Sequence, residues 1–309
     1  MMKNKLPIGL SVVVPIYNEE ESIRLLYSSI RDACEAVQRH YEIIFIDDGS
    51  RDNSFSELEA LHQKDPHVKV IRFRKNYGQT AAMAAGFRAA RGDVVVSMDG
   101  DLQNDPVDLP RLLSKIDEGY DVVCGWRKDR KDKLISRKIP SRIANWLIGK
   151  ITGVPIHDNG CSLKAYRRKI IKQVSLYSEL HRFIPALSSL TGARITEIVV
   201  THHARQFGES KYGISRAWKV FSDLFLIKLL TGFVARPSLW FGLSALFSIL
   251  LGAGVLLGGM SVGLFHITFP TVVLLFFSLA GHLLVMGIFG EIIVYTGNYR
   301  PAKMIVVQE

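Results

Sequence analysis

Pro237–Gly290 lacks charge altogether: these 54 residues contain no Asp, Glu, Lys or Arg, so all 68 charged residues of the 309-residue chain fall in the other 255. A wholly soluble globular protein rarely tolerates a gap of that length. The gap points to a soluble part of roughly 210 residues joined to a small membrane part. Cysteine is scarce too. Cys34, Cys124 and Cys161 are an odd number, widely spaced and without a CxxC pair, which excludes a zinc or disulfide framework and fits reduced thiols in a cytosolic domain. Met1 to Leu10 lacks an apolar run long enough for a signal peptide, so no cleaved leader is expected. With 48% hydrophobic residues and a net charge of +10, neither a disordered nor a fibrous chain is expected.

Two apolar stretches are present, Leu239–Met260 and 269–292, and the first contains 22 residues. A helix of about 22 residues is roughly 33 Å long, enough for a hydrocarbon core of about 30 Å. The alternative is a buried soluble hairpin. The link Ser261–Thr268 has no Lys or Arg, whereas Lys211, Arg216, Lys219, Lys228 and Arg236 precede the first stretch and Arg300 and Lys303 follow the second. The positive-inside rule therefore predicts a cell-membrane protein with both termini and the soluble domain in the cytoplasm. His282, a polar group inside the second stretch, is expected to face a helix partner.

The soluble part reads as alternating strands and helices. Strands are predicted at Leu10–Ile16, Tyr41–Asp47, Val68–Phe73, Val94–Met98 and Asp121–Gly125, with a later one at Ile195–Thr201. Helices are predicted at about Glu20–Arg39, Ser54–Lys64, Thr80–Ala90 and Asp108–Glu118. This order predicts an α/β fold with a mainly parallel, doubly wound sheet, whose ligands bind beyond the carboxyl ends of the strands.

Those ends are acidic. The first opens into Pro15-Ile16-Tyr17-Asn18-Glu19-Glu20, a loop without GxGxxG, which argues against a nicotinamide or flavin dinucleotide. The second ends in Asp47-Asp48-Gly49-Ser50, a pair of carboxylates needing a cation, a ribose or a base amide, or else serving as a helix cap. The fourth ends in Asp99-Gly100-Asp101-Leu102-Gln103, where carboxylates two residues apart can share one hard cation and leave sites open for phosphate oxygens.

Together with Asn76-Tyr77-Gly78-Gln79, Asp158-Asn159-Gly160-Cys161-Ser162-Leu163-Lys164-Ala165-Tyr166-Arg167 and Arg205-Gln206-Phe207-Gly208-Glu209-Ser210-Lys211, these motifs resemble the family 2 inverting glycosyltransferases of GT-A fold. Within that family the chain is similar to the bacterial polyisoprenyl-phosphate glycosyltransferases, relatives of dolichyl-phosphate mannose synthase. The resemblance implies a cytoplasmic GT-A domain over residues 1–212, interfacial amphipathic helices over 213–236, and two transmembrane helices with a short tail over 237–309. It implies that Pro15, Tyr17, Glu19, Ile46 and Asp48 hold the nucleoside. Asp99 with Gly100 would meet the nucleotide side, and Asp101 with Gln103 and Asp99 would ligate Mg²⁺ or Mn²⁺. Arg127, Arg205 and Lys211 would surround the phosphates, and Asp158 would stand beside the reacting centre, orienting the acceptor or sugar and acting as a base only secondarily. Gly100 stands where the mannose synthases have Ala.

The stretch Arg127–Lys150 holds nine Lys/Arg against two Asp. Its apolar residues Ile135, Ile139, Ile143 and Trp146 recur at helical spacing, with Pro140 a potential kink. This pattern favours a helix on an anionic membrane over a nucleic-acid patch, with Arg137, Lys138 and Arg142 taking the lipid phosphate; a solvated charged face is the plain alternative. Ile214, Trp218, Phe221 and Phe225 form a second such stripe. His202-His203 has no third ligand at metal spacing and reads as structural.

The expected reaction is inverting transfer of a sugar, with UDP-glucose the first choice of donor, to undecaprenyl phosphate. Donors carrying 4-amino-4-deoxy-arabinose, N-acetylglucosamine or mannose are the alternatives. Expected partners are the nucleotide sugar, the lipid phosphate, the bilayer, further copies of the chain, a lipid-sugar flippase and a downstream glycosyltransferase, with no nucleic acid. A processive polysaccharide synthase would need more spans and a QxxRW motif. A catalytically dead scaffold is disfavoured by the Asp99/Asp101 pair.

Overall fold

The computed structural model describes residues 8–128, 145–146, 148–150, 152–174, 176, 180–204, 236–263 and 268–296. The chain divides into two compact units, Met1–Leu224 and Phe225–Glu309.

The first unit is built on a seven-stranded sheet: β1 (Leu10–Ile16), β2 (Tyr41–Asp47), β3 (Val68–Arg72), β4 (Val94–Ser97), β5 (Val122–Trp126), β6 (Lys164–Arg167) and β7 (Ile195–Val199), in the order β3-β2-β1-β4-β6-β5-β7. Strands β3, β2, β1 and β4 are mutually parallel and β5 is parallel to β7, while β6 runs antiparallel between β4 and β5. The α/β class and the mainly parallel sheet match the sequence expectation. The register of β6, Ser97 opposite Lys164 and Cys124 opposite Lys164, puts its amino end level with the carboxyl ends of β4 and β5. One edge of the sheet thus gathers the loops after β1, β2, β3, β4, β5 and β7 and the loop before β6.

Both faces of the central strands are buried, which is why LSVVVPI and YEIIFID read as continuous apolar runs. Val12, Val14 and Phe45 face α1 (Ile23–Ala36), α2 (Ser54–Lys64) and α4 (Leu109–Asp117) through Ile23, Leu26, Ile30, Leu58, Leu112 and Ile116. Val13, Ile44 and Ile46 face α3 (Gln79–Ala89) on the other side. There α3 comes so close that a Cβ on Gly86 would sit 2.3 Å from Val13 Cγ1. At the amino edge of the sheet the buried Glu42 accepts from Ser11 Oγ at 2.6 Å and from the Arg91 amide at 2.7 Å, and pairs with Lys69.

Three sequence expectations are corrected. Helix α1 was expected over Glu20–Arg39 but starts only at Ile23, because the preceding loop is bonded elsewhere: the Glu20 carboxylate accepts from the Asn53 amide at 2.8 Å. The helix stops before Gln38, whose φ is +56°. Strand β6 was not foreseen, since four residues carrying Lys and Arg give no strand pattern. Strand β7 ends at Val199 rather than Thr201.

The second unit contains the helices Pro237–Val262 and Thr268–Thr296, each long and apolar enough to cross a membrane. Ala245, Ser248, Gly252 and Gly259 are the buried stripe of the first. Small side chains let the two backbones approach: Ser248 Oγ donates to Phe276 O at 2.8 Å, and a Cβ on Gly252 would lie 3.0 Å from Phe276 Cβ. Large apolar residues such as Phe247, Leu257, Leu274 and Phe289 point outward and are exposed, the reverse of a soluble hairpin's core. His282 does not pack against the other helix of this pair; it is exposed, and its Nδ1 lies 2.8 Å from Ser278 O of its own helix.

Candidate active site

The loops at the carboxyl edge are stitched to one another by side chains. After β1, Asn18 takes a left-handed φ of +53°, and its amide donates to Ser50 Oγ at 3.0 Å while its own Oδ1 accepts from the Arg51 amide at 2.9 Å. The Glu19 amide donates to Ser54 Oγ at 2.9 Å. The turn after β2 needs Gly49: its φ is +69°, and a Cβ there would lie 2.5 Å from the Lys75 carbonyl carbon.

Asp48 binds the next loop. Its two oxygens accept from the amides of Tyr77 and Gly78 at 2.7 and 2.9 Å. Burial raises its pKa, helped by the nearby Asp47 charge, against those two amide bonds. Asp47 Oδ1 accepts from the Ser50 amide at 3.0 Å, the local turn bond expected of an Asx residue. Gln79 opens α3 and passes the connection on, its Nε2 donating to Asp99 Oδ1 at 2.6 Å.

After β4, Ser22 Oγ donates to Gly100 O at 2.8 Å. A Cβ on Gly100 would meet Ile16 Cδ1 at 2.6 Å, so the Ala found in the mannose synthases would need Ile16 to shift here. Leu102, at φ +58°, turns the chain so that the Gln103 amide donates to Asp101 Oδ1 at 3.2 Å.

On the far side, β5 delivers Arg127 and the loop before β6 delivers Asp158. Arg127 Nε and Nη2 donate to the two oxygens of Asp158 at 2.7 and 3.0 Å. Both side chains are nearly buried, at 13% and 4% exposure. Burial opposes the Arg127 charge, but the Asp158 bond and charge prevail and raise the guanidinium pKa, with a smaller contribution from Asp99. The loop is fixed from below: Lys164, itself buried, donates to Asn159 O at 3.0 Å and to Cys161 O, and Ser97 Oγ donates to Ser162 O at 2.7 Å.

The structure therefore brings Pro15, Tyr17, Glu19, Asp48, Asp99, Gly100, Asp101, Gln103, Arg127 and Asp158 to one edge. Ile46 is different: it is fully buried against Val13, Ala82 and Met83, beneath the site rather than on its surface. Arg137, Lys138, Arg142, Arg205 and Lys211, together with the 213–235 stripe, lie outside the described residues. His202 bridges to Asn104 through its backbone and His203 Nε2 lies 2.8 Å from Asp105 Oδ2, a structural arrangement. Sequence reading gave no role to Gln79 or Lys164. Gln79 stood in a quoted motif, but only the packing of α3 shows which carboxylate it reaches.

Two carboxylates on one tight loop fit a hard divalent cation that keeps positions for other oxygens. Among the described residues no three His, Cys, Asp or Glu side chains converge, so the protein alone would offer an incomplete ligand set, to be completed by a diphosphate.

Such an edge, a carboxylate-rich side with an Arg–Asp pair on the same rim of a mainly parallel sheet, suits a GT-A-like glycosyltransferase. Residues 11–175 match glycosyl transferase family 2, and the chain belongs to that family. It is 43% identical over 301 residues, 94% of this chain and 88% of the relative, to a dodecaprenyl-phosphate galacturonate synthase from Rhizobium johnstonii. It is 38% identical over 288 residues, 92% of this chain and 86% of the relative, to an undecaprenyl-phosphate 4-deoxy-4-formamido-L-arabinose transferase from Shewanella sediminis. The fold is shared with glucosyl-3-phosphoglycerate synthase from Mycobacterium tuberculosis, solved with Mn²⁺, UDP and phosphoglyceric acid, at a TM-score of 0.55, 18% identity and coverage of 72% of this chain and 78% of that one.

Proposed function

We propose that the protein transfers a sugar from a nucleotide sugar to a polyprenyl phosphate at the cytoplasmic face of the membrane, with inversion. The observation that carries this reading is the single edge on which Asp48, Asp99 and Asp101 stand opposite the Arg127–Asp158 pair, in a chain that also bears two outward-apolar helices. Glucose, the first donor expected, finds no support among the relatives. Their names favour a uronic acid or a 4-substituted arabinose, and one of these is the donor assigned here.

Asp48 and the loop Pro15–Glu19 would hold the nucleoside, and Asp99, Asp101 and Gln103 would hold Mg²⁺ or Mn²⁺ on the diphosphate. When bound, that cation neutralises the charge developing on the leaving group. An oxygen of the lipid phosphate attacks the anomeric carbon, the bond from that carbon to the diphosphate oxygen breaks, and its electron pair leaves with the nucleoside diphosphate. A phosphate monoester has its second pKa near about 6, so the nucleophile needs no strong base. Asp158 suits this: both of its oxygens are engaged by Arg127, so it orients rather than deprotonates. Arg205 and Lys211 would add charge at the diphosphate. Arg137, Lys138 and Arg142 would draw the anionic headgroup to the site, and the product would pass to a flippase and a second transferase.

Purified full-length protein with undecaprenyl phosphate, divalent metal and a panel of UDP- and GDP-sugars tests the proposal. Labelled lipid with a uronic acid or a 4-substituted arabinose is expected. Glucose as the preferred donor would overturn the donor assignment, and nucleotide-sugar hydrolysis without lipid product would overturn the acceptor.

A further inference from the structure

Asn104 stands one residue beyond the motif that ends at Gln103, and it is buried, at 4% exposure. Three parts of the chain meet on it. Its Nδ2 donates to Ser162 Oγ at 2.7 Å and its Oδ1 lies 3.9 Å from Cys161 Sγ, so both ends of the amide face the loop that enters β6. Its backbone forms an antiparallel bridge with His202, beyond the end of β7. Ser162 is itself placed by the sheet. Its carbonyl accepts from Ser97 Oγ of β4 at 2.7 Å, and the next carbonyl, that of Leu163, accepts from the Gly125 amide of β5 at 2.9 Å. Ser162 therefore stands between the ends of β4 and β5, in the same loop as Asp158.

We propose that Asn104 is a positioning residue for sugar transfer: through Ser162 it fixes the loop of Asp99, Asp101 and Gln103 against the loop of Asp158. This rests on the reading of the chain as a polyprenyl-phosphate glycosyltransferase and says how the two halves of its site are held in step. Each half has supports of its own. Gln79 and Ser22 hold the first, at Asp99 and at Gly100 O, while Arg127 and Lys164 hold the second, at Asp158 and at the carbonyls of Asn159 and Cys161. The Asn104–Ser162 bond runs directly from one half to the other. Its Asn104 end is buried, where an unpaired amide is costly, so the contact is kept. The cation loop keeps its own shape without this bond, because the Gln103 amide donates to Asp101 Oδ1 at 3.2 Å and the Gln103 carbonyl accepts from the His203 amide at 2.9 Å. What the bond governs is the separation of the two loops. Transfer is sensitive to that separation, since a misplacement of about 1 Å can cost about a hundredfold in rate.

The test uses full-length protein in detergent micelles containing undecaprenyl phosphate, with the donor found by the panel. Asn104→Ala and Ser162→Ala each break the bond, and each is expected to lower kcat for lipid labelling by about tenfold or more. UDP affinity by calorimetry, and Mn²⁺ affinity in the presence of UDP by paramagnetic resonance, should both stay within about twofold of wild type. The double variant should be no slower than the slower single one, because both changes remove the same bond. Ser162→Thr, which keeps the hydroxyl, should recover most of kcat. Should Asn104→Ala fail to fold, as judged by its melting temperature, Ser162→Ala carries the test from the half-buried side of the bond. An unchanged kcat in the folded variants overturns the positioning role alone. So do losses that multiply in the double variant, or a fall in UDP or Mn²⁺ affinity as large as the fall in kcat. Wild-type protein that binds UDP but labels no lipid with any donor overturns the proposed reaction, and this role with it.

Discussion

Arg127 holds Asp158 by a two-point grip, Nε at 2.7 Å and Nη2 at 3.0 Å, across the gap between the end of β5 and the loop that enters β6. One residue earlier on each side, Trp126 and His157 stack with ring centroids 4.4 Å apart. The ion pair and the stack together fix the loop that carries Asp158.

Breaking that grip from one side strands a charge. Arg127→Met removes the guanidinium that faces the buried Asp158 charge, and a loss of about 3–5 kcal/mol of stability is expected. The double variant Arg127→Met/Asp158→Leu should recover much of the stability and none of the transfer activity. Urea unfolding and lipid labelling on the same preparations check both.

A cation held by Asp99, Asp101 and Gln103, as proposed, would have an incomplete ligand set without substrate, so metal affinity should depend on nucleotide. Paramagnetic resonance of Mn²⁺ titrated into the protein should show weak binding alone and tighter binding with UDP. Asp101→Ala should remove the nucleotide-dependent part and abolish transfer. Full activity in excess chelator would remove the metal from the proposal.

Acid should act on Glu42. Burial pushes its pKa up, but bonds from Lys69, Ser11 and the Arg91 amide outweigh this and bring it below the usual value of 4.5. A carboxylate lowered on folding stabilises the protein above its unfolded pKa and loses that contribution as pH falls through the folded one. The loss should therefore lie below about pH 4.5. Glu42→Gln should be less stable at neutral pH and should flatten the stability profile below that value, as followed by thermal unfolding across pH.

A cysteine at Gly263 reports the topology. Cys34, Cys124 and Cys161 are buried, and burial pushes their thiols up to about 12, 12 and 11, so they should stay silent towards a polar maleimide. Labelling of Gly263→Cys from the non-cytoplasmic side is expected. Labelling only from the cytoplasmic side would reverse the proposed orientation.

The order of strands and helices was legible because each central strand is buried on both faces and each helix carries an apolar stripe, as Ile23, Leu26, Ile30 and Cys34 do in α1. The acidic strand ends were legible as motifs. What the letters could not show was pairing. Nothing in Lys164–Arg167 reads as a strand, yet its reversed insertion is what brings Asp158 to Arg127. Asp48 read as a ligand for substrate, but the letters did not show that its two oxygens also hold the Tyr77–Gly78 backbone. Contacts between residues far apart in the chain, such as Thr80 with His181, leave no local trace.

The reversal of β6 has a consequence for how such a protein can diversify. Strand β5 departs at Trp126 and β6 returns at Lys164 beside it, so everything between leaves and re-enters at the same rim of the sheet. That excursion is tied shut at its neck by the Trp126–His157 stack and the Arg127–Asp158 pair. A segment closed in this way behaves as an exchangeable cassette. Its two ends are held by strand pairing, the stack and the ion pair, so a change of length or charge between them need not disturb the register of β5 or β6.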